Sequence, residues 1–104
     1  EPLLHDIIEA FLEDTPRNVA AAKKAFATSD IPSLRRAAHT IKGALRYFGA
    51  KSAFDLAVSV EDAARSADLA AAAARFEQLE SELILLTQEL VAEQQNASKN
   101  LSHT

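Results

Sequence analysis

Residues 37–50 read AAHTIKGALRYFGA. They set one histidine, His39, among small and apolar side chains, with a lysine three positions on and a glycine four on. Neutral imidazole is a good nucleophile near pH 7. The lysine at i+3 brings a mobile cation beside the ring, or is an ordinary solvated helix lysine. Glycine inside a helix costs about 1 kcal/mol relative to alanine, so Gly43 needs a reason. One reason is close packing against a neighbouring helix. Another is an opening beside the imidazole for an approaching molecule.

Other chemistries find less support. The chain has no cysteine, hence no disulfide, thiolate metal site or thiol nucleophile. His39 has no second histidine or carboxylate at i+3 or i+4, and His5 and His103 are distant in sequence, so no metal site is expected. A Ser/His/Asp triad is not excluded by spacing, but no serine sits in the strained turn of a nucleophile elbow. Gly-rich phosphate loops and dinucleotide fingerprints are missing, so no cofactor is expected.

Four stretches carry a helical period and must position these residues. The first runs from Leu3 to about Thr28, with apolar positions at Leu4, Ile8, Phe11, Val19, Ala22 and Phe26. Pro16 falls inside it. Either the helix kinks there, or Asp14 or Thr15 caps a new helix with proline in its first turn; a single kinked helix is the expectation. Asp30 and Pro32 open a second helix over Ile31–Phe48, closed by Gly49 in a left-handed cap. A third covers about Lys51–Ser66. Asp68 caps a fourth from Leu69 to about Glu93, whose seam is Leu69, Ala72, Phe76, Leu79, Leu83, Leu86 and Leu90. Short connections favour antiparallel neighbours. The expected fold is all-α, an antiparallel up-down four-helix bundle over residues 1–93, with 94–104 as a frayed tail.

Helical geometry orients His39. In the second helix Leu34, Ala38, Ile41, Leu45 and Phe48 form the core stripe. At about 100° per residue, His39 lies roughly 160° from that stripe's centre. Its neighbours on the outer face are Arg35, Lys42, Gly43 and Arg46. A core histidine is therefore excluded, leaving an inert surface residue or a reactive one.

The totals narrow the partners. At 104 residues, 48% apolar, the chain is one domain with enough apolar side chains for a core. Two glycines and three prolines suit a nearly all-helical chain. Net charge is −4, yet residues 33–51 hold five of the eleven basic residues and no acid. One positive face on an acidic chain suits an acidic protein partner rather than nucleic acid. No apolar run approaches the roughly 18 residues of a membrane span. Two Asn-x-Ser matches, at Asn96 and Asn100, read as chance in a cysteine-free, cytoplasmic chain. Glu1 at the start suggests a piece of a longer protein.

The pattern His39-x-x-Lys42-Gly43, with Gly49 six residues further on, resembles the core motif of histidine phosphotransfer (HPt) domains. SDIPSLRRAAHT and LAVSVEDAAR are similar to that family's second and third helices, and the likeness spans about residues 3–92. The resemblance implies a phosphocarrier of multistep phosphorelays, without an ATP site or kinase activity. His39 would take a phosphoryl group from an aspartate of one response-regulator receiver domain and pass it to another. Lys42 would stabilise the phosphoryl oxygens, and Gly43 would leave room for the group and the incoming receiver. Glu61 matches a position that hydrogen-bonds the histidine ring, which would make Nε2 the nucleophile. Arg65 matches a position where some members carry a functional arginine; an ordinary Glu61–Arg65 surface ion pair is the plain alternative. Arg46 and Tyr47 are bulkier than the small residues common there.

The first helix is expected to help form the docking surface. Its opening is wider than the ~100° a core stripe requires, with Leu3, Ile7 and Phe11 in surplus. Arg35 and Arg46 would steer a receiver's acidic pocket. The alternative is that the apolar surplus packs on the fourth helix or on regions outside this sequence. The domain is expected to be monomeric. Two further readings stay open: the phosphoacceptor domain of a chemotaxis-type histidine kinase, and a non-catalytic helical adaptor bundle. A parent hybrid sensor kinase, with this as its cytoplasmic C-terminal domain, fits the abrupt start.

Overall fold

The structure, a computed structural model, describes the backbone of residues 2–102 and the side chains of 4–96. Its elements are α1 (Pro2–Thr28), α2 (Ile31–Leu45), α3 (Lys51–Arg65) and α4 (Leu69–Ser102). Each helix packs on its neighbours in the chain, and α1 closes the ring against α4. The described residues contain no strand. The four-helix bundle expected from the periodicity is the fold.

Pro16 lies inside α1, which continues through it as one helix. The proline lacks the N–H that would bond the Leu12 carbonyl. Thr15 and Ala22 on either side of this region are buried, so packing keeps the helix together. Beyond it, Ser29 adopts a left-handed conformation at φ 54°. This lets Asp30 N–H donate to the Ala25 carbonyl at 2.8 Å and close the helix end. Asp30 then starts α2, accepting from Ser33 N–H at 3.2 Å and from the Ser33 hydroxyl at 2.6 Å. These bonds hold the Asp30 carboxyl below its ordinary pKa. The third connection repeats the device: Ala67 is left-handed, Asp68 N–H bonds the Ala63 carbonyl, and Asp68 Oδ1 caps Ala71 N–H at 3.0 Å.

Two helix ends differ from expectation. α2 stops at Leu45 rather than Phe48. A tighter bond from Phe48 N–H to the Leu45 carbonyl, 3.2 Å, replaces the helical one. This turn brings the Phe48 ring edge-on to Phe11, with centroids 5.1 Å apart. Gly49 follows at φ +63°, in the left-handed region expected of it. α4 runs on to Ser102 instead of stopping near Glu93, since neither glycine nor proline interrupts residues 94–102. At 34 residues it is the longest helix and sets the long axis of a 54 × 21 × 19 Å molecule.

The core follows the expected stripes. Ile8, Phe11 and Ala22 of α1 meet Leu34, Ala38, Ile41 and Leu45 of α2, Ala57 and Val60 of α3, and Phe76, Leu79 and Leu83 of α4. Many of these positions are alanines, which allow close helix approach, while Phe76 packs on Phe26 with centroids 5.5 Å apart. Lys23 and Glu80 tie α1 to α4 at 2.7 Å. Leu4, expected in the core stripe, is instead 51% exposed near the end of α1.

Candidate functional site

α2 and α3 lie side by side, and their facing edges bring together residues 22 positions apart in the chain. His39 is on the outer face of α2 with its side chain 67% exposed. Its Nδ1 sits 3.1 Å from Oε2 of Glu61. Lys42, one turn further along α2, donates from Nζ to Oε1 of the same carboxylate at 2.8 Å. Glu61 itself is 8% exposed, at the border of the α3 core face beside Val60 and Ala64.

A carboxylate in that position requires compensation. Burial alone would raise the Glu61 pKa, but the hydrogen bonds and charges of Lys42 and His39 outweigh it and hold the carboxyl below its ordinary range. Glu61 is therefore ionised near neutral pH. An ionised carboxylate can only accept. The Nδ1 atom of His39 must then carry the proton, so in the neutral ring the lone pair belongs to Nε2. Glu61 thus sets the tautomer of a largely solvent-open imidazole.

Lys42 is less mobile than its sequence position suggests. Its side chain is 19% exposed and anchored by Glu61. One of its three ammonium protons is engaged there, leaving two for another acceptor. Arg65 lies one turn along α3 from Glu61. Its Nη2 is 3.7 Å from Oε2 of Glu61, and its Nη1 donates to Asp62 Oδ1 at 2.7 Å. The shorter, stronger contact is to Asp62, a residue that the sequence reading did not single out.

Gly43 has open space above it. A Cβ built there meets no atom within 4 Å outside its own helical turn. Close helix packing therefore does not explain the glycine. Arg35 and Arg46 lie one turn before and about two turns after His39, both exposed. Among the described residues neither pairs with a carboxylate, so they leave uncompensated positive charge on the face of His39.

The expected apolar surplus of α1 is only partly as anticipated. The Leu3 side chain lies outside the described residues. Phe11 is not an exposed residue: it is 2% exposed, because the α2–α3 turn lays Phe48 against it. Ile7 is half-buried. Together Ile7, Ala10 and Phe11 line one wall of a groove of about 680 Å³ between α1 and α2, facing Thr40, Ala44 and Tyr47. The last three recur at i, i+4 and i+7, a second stripe beside His39, Gly43 and Arg46. That spacing and the apolar residues Ile7 and Phe11 of the α1 wall were visible in the sequence; their pairing across one groove was not. Among the described residues no cluster of three metal-ligating side chains occurs, and no helix is long and apolar enough to cross a membrane.

The family model described as "Hpt domain" matches residues 6–93. No curated protein and no solved structure matches the chain.

Proposed function

This chain belongs to the Hpt domain family, and we propose that it relays a phosphoryl group between receiver-domain aspartates through phosphohistidine at His39. Hpt domains act in phosphorelay signalling, interact with receiver domains and do not bind ATP as kinases do. The observation that carries the assignment of His39 is the shared carboxylate: Glu61 holds both the imidazole and Lys42.

The chemistry follows from that arrangement. The lone pair of Nε2 attacks the phosphorus of an incoming phosphoaspartate. The N–P bond forms as the P–O bond to the aspartyl oxygen breaks, and the bonding pair leaves on the restored carboxylate. The ring keeps its Nδ1 proton and gains positive charge, which the Glu61 carboxylate stabilises from 3.1 Å. The free protons of Lys42 serve the phosphoryl oxygens, whose charge must be neutralised in transfer. Arg65 adds positive charge 3.7 Å from the same Oε2 that holds His39. Reversal onto a second receiver restores the starting state.

Gly43 admits the partner to the ring. Arg35 and Arg46 provide the positive field that draws in an acidic receiver pocket. The groove of Ile7, Phe11, Ala44 and Tyr47 gives the partner an apolar seat beside the reactive stripe. The test mixes the domain with a receiver charged on aspartate with labelled phosphate. The domain should gain an acid-labile, base-stable label that His39→Gln lacks. An adaptor bundle would take none in either form.

A further inference from the structure

Glu61 and Asp62 are consecutive acids on α3, and Arg65 stands four positions from one and three from the other. Both spacings bring helical side chains within reach, so one guanidinium is offered two carboxylates. It divides unequally between them. Nη1 donates to Oδ1 of Asp62 at 2.7 Å, while Nη2 stops 3.7 Å from Oε2 of Glu61. That Oε2 is the oxygen 3.1 Å from Nδ1 of His39, and Oε1 is taken by Lys42. The charges that hold the Glu61 carboxyl low are those of Lys42 and His39; Arg65 is not among them.

Asp62 has no evident structural reason to be an acid. It lies in the last turn of α3, where the negative end of the helix dipole opposes a carboxylate, and aspartate suits a helix interior less well than alanine. Its side chain is 61% exposed, and Arg65 is its one side-chain partner among the described residues.

We infer that Asp62 is a positioning residue: by holding Nη1 of Arg65 it keeps the guanidinium from closing on Glu61, and so reserves Oε2 for the His39 ring. The inference rests on the phosphorelay reading. Arginine favours a two-bond fork with a carboxylate. Freed from Asp62, Arg65 closes the 3.7 Å gap onto Glu61, whose side chain is only 10% exposed; ion pairs strengthen where water is excluded. The ring then shares Oε2 with a second cation, and its Nδ1–H is held less firmly. That cation also opposes the positive charge the ring gains when Nε2 takes a phosphoryl group.

The test is a double-mutant cycle with Asp62→Ala, Arg65→Ala and the two together. The first readout is the His39 tautomer in the unphosphorylated domain, from long-range ¹H–¹⁵N spectra at a pH where the ring is neutral. Asp62→Ala should lower the share of Nδ1–H ring, and in the Arg65→Ala background the same change should do nothing. The second readout is single-turnover transfer from a receiver charged with labelled phosphate, at varied receiver concentration. Asp62→Ala should lower the plateau rate about tenfold, the low end for loss of an orienting partner, with the half-saturating concentration within about twofold. Asp62→Glu keeps an acid for Arg65 and should restore both readouts. The inference is overturned if Asp62→Ala leaves either readout unmoved, or if it acts equally in both backgrounds, which would trace the effect to the Asp62 charge itself. If neither a receiver nor phosphoramidate labels His39 of the unaltered domain, the proposed function fails, and the tautomer alone still decides whether Asp62 restrains Arg65.

Discussion

His39 and Lys42 are held by opposite oxygens of one carboxylate, at 3.1 Å to Oε2 of Glu61 and 2.8 Å to Oε1. The proposed nucleophile and the cation that would neutralise its cargo are thereby fixed relative to each other by a residue on a different helix. Neither needs to release Glu61 for a phosphoryl group to bind, since Nε2 and two ammonium protons stay available.

Removing that carboxylate should slow transfer more than it loosens the fold. Glu61→Ala frees the ring to choose its tautomer and leaves Lys42 without its anchor. Partners that orient a reacting group typically contribute 10–100-fold, so a single-turnover rate lower by about that factor is expected. Glu61→Gln keeps an acceptor for Nδ1–H and should lose less. Equal rates in all three forms would show that Glu61 orients nothing.

The low pKa of Glu61 has a consequence for stability. Its folded value lies below its unfolded one, so its contribution is fully present above the unfolded pKa, about 4.3. The contribution is lost as pH falls through the folded value. Melting curves of the unaltered protein and Glu61→Gln should therefore differ by a constant amount above about pH 5 and converge in acid. Asp30 is also lowered, but it is common to both proteins and cancels. A gap that widens on acidification would contradict the assignment.

The two glycines should respond in opposite directions. Gly43→Ala meets nothing within 4 Å and removes a helix-interior glycine, so stability should rise by about 0.5–1 kcal/mol. Transfer from a receiver should nonetheless slow, because the methyl group stands where the partner approaches. Gly49 sits at φ +63°, and Gly49→Ala should destabilise by about 1–2 kcal/mol. Denaturant melts measure both, alongside the transfer rate of Gly43→Ala.

Phe11 should behave as a core residue. It is 2% exposed and paired with Phe48, so Phe11→Ala should cost about 3–5 kcal/mol. Ile7→Ala, on the same groove wall but half-buried, should cost much less in a denaturant melt while still weakening receiver binding.

These contrasts mark what could be read in the chain itself. Helical periodicity alone located all four helices, and the same arithmetic turned His39 outward, where it is 67% exposed. Asp30 and Asp68 announced their caps because capping is local chemistry, whereas α2 is capped by Arg46 and Gly49 supplies only the left-handed residue of the turn beyond it. Pro16 was ambiguous because local rules disfavour proline mid-helix, while burial of the flanking residues decides whether the helix survives. The end of α2 depended on a ring from another helix: Phe48 leaves the helix to meet Phe11, and no local signal encodes that encounter. The tie between Lys42 and Glu61 is hidden for the same reason. The family's pattern suggested a bond from Glu61 to the histidine, but the second oxygen's partner emerges only when α2 and α3 pack. The Tyr47 groove needs two helices at once, although residues of both its walls were in plain view.

The identity of the nitrogen that takes the phosphoryl group tests the proposed chemistry most directly. Long-range ¹H–¹⁵N correlation spectra of the ¹⁵N-labelled domain, recorded after transfer from a phosphorylated receiver, resolve this for each histidine. The prediction is phosphorus on Nε2 of His39, with Nδ1 still protonated toward Glu61. Phosphorus on Nδ1, on His5 or His103, or on no histidine at all would contradict it.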